Sequence, residues 1–138
     1  MALMAKTILW VDDEAELLEP HRLLLGDKGY HVETATNADD ALELLRRRPY
    51  DLVLLDLVMP DIDGIEVMRR VRGTFDPPYR DVQVVALTAN VAEDALKTCL
   101  AVGISEVMPK PFDRLSLVNT VIRHSTRPQA GAAPAPKA

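Results

Sequence analysis

Three aspartates, a threonine and a lysine stand where they could act together on one ligand. Asp12 and Asp13 follow the apolar run Thr7-Ile8-Leu9-Trp10-Val11, and Asp56 follows Leu52-Val53-Leu54-Leu55. Thr88 closes Val82-Gln83-Val84-Val85-Ala86-Leu87, and Lys110, between Pro109 and Pro111, comes just after Glu106-Val107-Met108. Three carboxylates a few Å apart repel at a cost on the order of a few kcal/mol at intermediate effective dielectric. A hard divalent cation relieves this, and Mg2+ characteristically takes one or two carboxylates plus waters and a phosphate. Thr88 adds a hydroxyl donor, and Lys110 a point charge able to hold a phosphoryl oxygen. With a carboxylate as nucleophile, these are the parts of phosphoryl transfer: in-line positioning and neutralisation of the equatorial oxygens. Asp12 and Asp13 could instead cap a helix, favoured there by its dipole. That alternative leaves Asp56 unexplained.

The elements that must bring these residues together are legible from periodicity. The runs ending at Val11, Leu55 and Leu87 are nearly unbroken, as strands covered on both faces are in a parallel sheet. His31-Val32-Glu33-Thr34-Ala35 alternates, which suits an edge, and Glu106-Val107-Met108 is a weaker fifth strand. Between them the period becomes helical. Ala38, Ala41, Leu42 and Leu45 follow an Asn37 N-cap, and Ile65, Met68 and Val71 follow Gly64. Ala92, Ala95, Leu96, Cys99 and Leu100 make a fourth stripe, and Leu115, Val118 and Ile122 a fifth after Asp113. The first helix is expected from about Glu14 to Asp27, stopping at Gly29 and kinked where Pro20 crowds the carbonyl of Glu16.

Five β-α units in series imply an open, doubly wound parallel sheet with helices on both faces. The most apolar strands belong at its centre, giving the order 2-1-3-4-5. Ligands then bind outside the carboxyl ends of the strands, at the switch point between the first and third. The three acids lie there.

The 138 residues suit one domain, and 48% hydrophobic with 27% charged residues excludes whole-chain disorder. A net charge of −5 argues against direct nucleic-acid binding. The single Cys99 excludes an internal disulfide or a multi-cysteine zinc site, and its place on an apolar stripe assigns it to the core. No apolar run is long enough for a membrane span and no signal-peptide pattern opens the chain, so a cytoplasmic protein is expected. Arg46, Arg47 and Arg48 fit the end of the second helix as a solvated, dipole-matched group. His21, His31 and His124 lack metal-ligand spacing and are expected at the surface. Residues 127–138 are Ala/Pro-rich without periodicity and read as a flexible tail or linker stub after a domain over 1–126.

Taken in order, Ile8 to Glu14, Asp51 to Gly64, Val85-Ala86-Leu87-Thr88-Ala89-Asn90 and Lys110-Pro111-Phe112 resemble the receiver domains of two-component response regulators, from about Lys6 to Arg123. The resemblance implies a flavodoxin-like (βα)5 fold and an aspartyl-phosphate switch charged by a sensor histidine kinase or a histidine phosphotransfer protein. It implies Asp56 as phosphoacceptor, Asp13 as a direct Mg2+ ligand, Asp12 acting largely through water, and the Val58 carbonyl completing the metal's protein ligands. Thr88, the Ala89 amide and Lys110 would bind phosphoryl oxygens, and the Lys110–Pro111 bond would be cis. No separate enzymatic activity is implied beyond phosphorylation and dephosphorylation of the protein itself, and a homodimer stays open. One position departs from the family: three residues before the lysine, where an aromatic residue is common, stands Val107. Valine is stiff at χ1, so the switch is expected to run through Thr88 and the residues near Asn90 and Val91.

Two other classes compete. A haloacid dehalogenase-type phosphatase is suggested by Asp61-Ile62-Asp63-Gly64, but such enzymes need an acid two residues after the nucleophilic aspartate, and Asp56 has Val58 there. A receiver-like interaction module that is not phosphorylated would keep the fold, but such members usually lose an acid, the threonine or the lysine. This chain holds all five. No output domain fits in the remaining residues, so the chain reads as a single-domain regulator or a fragment of a larger protein.

Overall fold

The computed structural model describes residues 6–14, 18–57, 64–74, 82–89 and 92–125. Strands and helices alternate: β1 Lys6–Val11, α1 Glu19–Asp27, β2 Tyr30–Ala35, α2 Ala38–Arg47, β3 Leu52–Asp56, α3 Gly64–Thr74, β4 Val84–Thr88, α4 Glu93–Ala101, β5 Glu106–Pro109 and α5 Arg114–Ser125. All pairings are parallel and the strand order is β2-β1-β3-β4-β5, as the apolar runs require.

Two apolar layers sandwich the sheet. On one face Leu9, Val53, Leu55, Val84 and Ala86 pack against Ala41 and Leu45 of α2, Met68 and Val71 of α3 and Cys99 of α4. On the other, Ile8, Trp10, Leu52, Leu54, Val85 and Leu87 meet Leu25 of α1 and Leu117 and Val121 of α5. Strands β3 and β4 are buried along their whole length, which explains their unbroken apolar sequences. Local chemistry supports the helices. The Asn37 side chain accepts the Asp40 N–H at 2.8 Å, and the charge order of α2, Asp39 and Asp40 first, Arg46 and Arg47 last, suits its dipole. Asp113 likewise accepts the Ser116 N–H at 2.8 Å ahead of α5, a bond that holds its carboxyl below the usual range. The chain leaves α1 through Gly29, whose φ of +97° is a conformation glycine adopts without steric cost.

The structure corrects four expectations. α1 begins at Glu19, so Pro20 sits in its first turn, where a missing N–H breaks no helical bond and no kink is needed; residues 15–17 lie outside the described set. In α5 the core stripe is Leu117, Thr120, Val121 and Ser125; of the expected stripe Val118 is half-buried against that core, while Leu115 and Ile122 are exposed at 69% and 43%. α5 carries two apolar stripes, and periodicity alone does not say which one meets the sheet. In α4 the stripe is narrower than expected: Cys99 is buried, but Leu100 is 63% exposed. Of the histidines only His31 is exposed; His21 packs among aromatic rings and His124 lies half-buried, its Nε2 2.6 Å from Glu106 Oε1. The tail at 127–138 and the turn around Asp76–Tyr79 lie outside the described residues.

Candidate functional site

The parallel register delivers the chemistry-bearing residues to one rim. Val11 pairs with both Ala35 and Leu55, Asp56 with Leu87, and Thr88 with Pro109, so β1, β3, β4 and β5 end at nearly one level. Asp12 leaves β1 with its N–H donating to the Ala35 carbonyl at 3.0 Å, and its Oδ1 accepts the Glu14 N–H at 2.9 Å. That second bond is an aspartate turn, which steers the following Asp13 outward and fixes the Asp12 carboxylate. Asp12 and Asp56 are buried and Asp13 is exposed, yet each offers an oxygen within 4.8 Å of the others.

Lys110 reaches the same point from β5. Its N–H donates to the Thr88 carbonyl at 2.9 Å, extending the ladder by one residue, and the Lys110–Pro111 bond is cis. Its Nζ lies 3.5 Å from Asp12 Oδ2 and 3.6 Å from Asp56 Oδ2. One ammonium therefore bridges two buried carboxylates while remaining about one-third exposed. Thr88 is buried at the end of β4, and Ala89, just after it, is exposed.

The donor set fits a hard cation. All three side chains offer oxygen, and those oxygens lie within 4.8 Å of one another, close enough for one hard cation to take them as ligands. The charge argues the same way, because one lysine offsets only part of three carboxylates.

Sequence reasoning placed Gly64 at the start of α3 but missed why glycine is required there, and it missed a second support of this geometry altogether. Gly64 opens α3 by donating its N–H to the Leu57 carbonyl at 2.9 Å. A Cβ there would stand 2.9 Å from Leu57 Cα and 3.0 Å from the Asp56 carbonyl oxygen, too close for any side chain. Only glycine lets α3 start against the strand end that carries Asp56. The second support is an aromatic cluster of Trp10, His21 and Phe112. Its sequence signal was spacing: Trp10 stands two residues before Asp12, and Phe112 two after Lys110.

The remaining expected residues are placed as follows. Pro111 follows the cis bond, and Val107 is half-buried against the α2/α3/α4 layer, paired with Ala86. Val58, Asp61, Asp63, Asn90 and Val91 lie outside the described residues.

Comparison with known proteins agrees with this geometry. The chain is 36% identical over 132 residues to the response regulator MprA of Mycolicibacterium vanbaalenii, covering 94% of this chain and 55% of that protein. It thus spans about half the length of the MprA regulators it matches. The chemotaxis protein CheY4 of Vibrio cholerae superposes with a TM-score of 0.80 at 28% identity, covering 88% of this chain and 99% of that one. The receiver domain of the sensor histidine kinase PA1611 from Pseudomonas aeruginosa, with a magnesium ion in its active site cleft, gives 0.75 at 29% identity, covering 88% and 98%. The family model of the response regulator receiver domain matches residues 8–122. With that match spanning most of its length, the chain belongs to the response regulator receiver domain family.

Proposed function

We propose that this receiver accepts a phosphoryl group on Asp56 from the phosphohistidine of a sensor histidine kinase or histidine phosphotransfer protein, in a Mg2+-dependent step. The observation that carries this reading is the convergence of Asp12, Asp13 and Asp56 with the Lys110 ammonium on a single point at the carboxyl ends of the strands.

An Asp56 carboxylate oxygen attacks phosphorus and forms the acyl-phosphate P–O bond. The P–N bond to the donor imidazole breaks, and the imidazole leaves with the electron pair. Lys110 Nζ shifts from the two carboxylates onto a phosphoryl oxygen, and the Thr88 hydroxyl and Ala89 N–H donate to the others. Asp12, Asp13, Asp56 and the Val58 carbonyl would hold Mg2+, which when bound neutralises charge on the transferring group. The magnesium ion in the PA1611 receiver domain supports the same use of this cleft. The chain acts as a switch that phosphorylates and dephosphorylates only itself. Its response runs through Thr88 and the start of α4, because Val107 is too short and too stiff at χ1 to swing as an aromatic ring would. Residues 1–126 form this unit and 127–138 a tail or linker; its setting is cytoplasmic, it binds no nucleic acid directly, and a homodimer stays open. Among the described residues no helix is long and apolar enough to cross a membrane.

Incubation with acetyl phosphate and Mg2+ tests the reading by mass. A gain of one phosphoryl group, lost in Asp56→Asn, is expected. An unmodified wild-type chain under conditions that modify another receiver would favour an interaction module without phosphorylation. Turnover of free phosphomonoesters would favour a phosphatase.

A further inference from the structure

Close to the acidic cleft, on the α1/α5 side of the sheet, three aromatic rings meet that phosphoryl transfer does not itself require. Trp10 of β1 is wholly buried, with its ring centroid 6.3 Å from Phe112 and 6.0 Å from His21. His21 and Phe112 stand 5.7 Å apart with their planes at 67°, an edge-to-face contact. The rings come from β1, α1 and the segment joining β5 to α5.

Two of these segments meet twice. Asp12 and Lys110 form the ion pair of the site, and two residues back in one segment and two on in the other, Trp10 meets Phe112. Between Lys110 and Phe112 stands only Pro111, whose ring fixes its φ. The placement of Phe112 is therefore transmitted to Lys110 with little slack. Lys110 needs such support: its side chain is one-third exposed and its Nζ has no contact shorter than 3.5 Å to either carboxylate it bridges. Ring contact holds the cluster: Trp10 Nε1 and His21 Nδ1 are both buried, and among the described residues neither has a hydrogen-bond partner.

We propose that Phe112, held between Trp10 and His21, is a positioning residue that sets the Lys110 ammonium for the phosphoryl group. The proposal rests on the reading of Lys110 as a phosphoryl-binding residue. His21 brings α1 into the same support.

A double-mutant cycle tests this, with phosphorylation of Asp56 by acetyl phosphate and Mg2+ as one readout and the thermal midpoint as the other. Phe112→Leu keeps bulk but removes the ring, and is expected to slow phosphorylation about tenfold, as sub-ångström misplacement of a catalytic group does. In a Lys110→Ala background the same change is expected to slow it no further, while its effect on the midpoint persists. Phe112→Tyr keeps the ring and restores the rate. His21→Phe keeps a ring in the cluster and is expected to raise the midpoint, because it removes a buried nitrogen without a partner among the described residues. If Phe112→Leu slows the reaction by one factor in both backgrounds, or leaves the wild-type rate unchanged, the positioning role is overturned while the phosphoryl-binding reading of Lys110 stands. If Lys110→Ala itself keeps the wild-type rate, that reading falls and the positioning role with it.

Discussion

At the rim where the strands begin, Lys6 Nζ donates to the Ser125 carbonyl, and the Tyr30 hydroxyl lies 3.0 Å from Ser125 Oγ. Asp51 there accepts the Thr7 N–H at 2.8 Å and donates its own N–H to the Thr7 carbonyl at 2.9 Å. Glu106, first residue of β5, meets Arg123 at 2.8 Å and His124 at 2.6 Å. At the opposite rim three carboxylates gather, and one ammonium meets two of them, Asp12 at 3.5 Å and Asp56 at 3.6 Å. The strand-start rim satisfies its charges with the chain's own groups. Among the described residues the strand-end rim sets three carboxylates against one lysine, the excess negative charge that a binding site for a cation uses. A carboxylate beside a strand is therefore no mark of function by itself: Asp51 ties two strands together, whereas Asp56 stands with Asp12 and Asp13 around a shared point.

The sharpest break between the rims comes from Lys110→Ala. Beryllofluoride with Mg2+, a mimic of the aspartyl-phosphate, is expected to perturb the amide resonances of residues 88–96 in the wild type and to leave them nearly unchanged in this variant. Equal perturbation in both would remove Lys110 from the switch. Its thermal midpoint should fall only modestly if, as proposed, the lysine's main partner arrives with the phosphoryl group.

Mg2+ comes next in size. A ligand that binds only the folded state adds about 2.7 kcal/mol at a hundred times its dissociation constant. Thermal unfolding with and without Mg2+ should show that gain in the wild type and little of it in Asp13→Asn. A midpoint indifferent to Mg2+ would mean that the strand-end rim is not a cation site.

Tyr30→Phe probes the settled rim. It leaves the buried Ser125 Oγ without its phenol partner and is expected to cost about 1 kcal/mol by denaturant titration, with the phosphorylation rate unchanged. A slowed rate would show that the two rims are coupled.

The smallest effect concerns Glu106. Burial by itself would raise its carboxyl, but Arg123 and His124 outweigh that and hold it below the ordinary 4.5. A carboxylate lowered on folding stabilises fully above its unfolded value and loses that contribution as pH falls through the folded one. The acid decline of the thermal midpoint should accordingly be shallower in Glu106→Gln than in the wild type. Identical declines would show that this cluster contributes nothing at its rim.

Much of this was legible before any tertiary contact was known. Strand composition determined the order 2-1-3-4-5, because only strands covered on both faces can be apolar throughout, as β3 and β4 are. That order, with the acids at Val11+1 and after Leu55, sufficed to locate the site, since parallel strands all point their carboxyl ends at one rim. The Asn37 cap and the start of α3 at Gly64 were likewise readable, because each depends on near neighbours in sequence. Tertiary structure decided the rest. α5 offers two apolar stripes of equal periodicity, and only packing against Ile8 and Leu54 selects Leu117 and Val121 over Leu115 and Ile122. The bridging of Asp12 and Asp56 by Lys110, and the contacts of Phe112 with Trp10 and His21 beside it, join segments distant in sequence, Lys110 and Asp12 being 98 residues apart. No local pattern encodes such contacts, because their geometry is set by how the helices seat on the sheet.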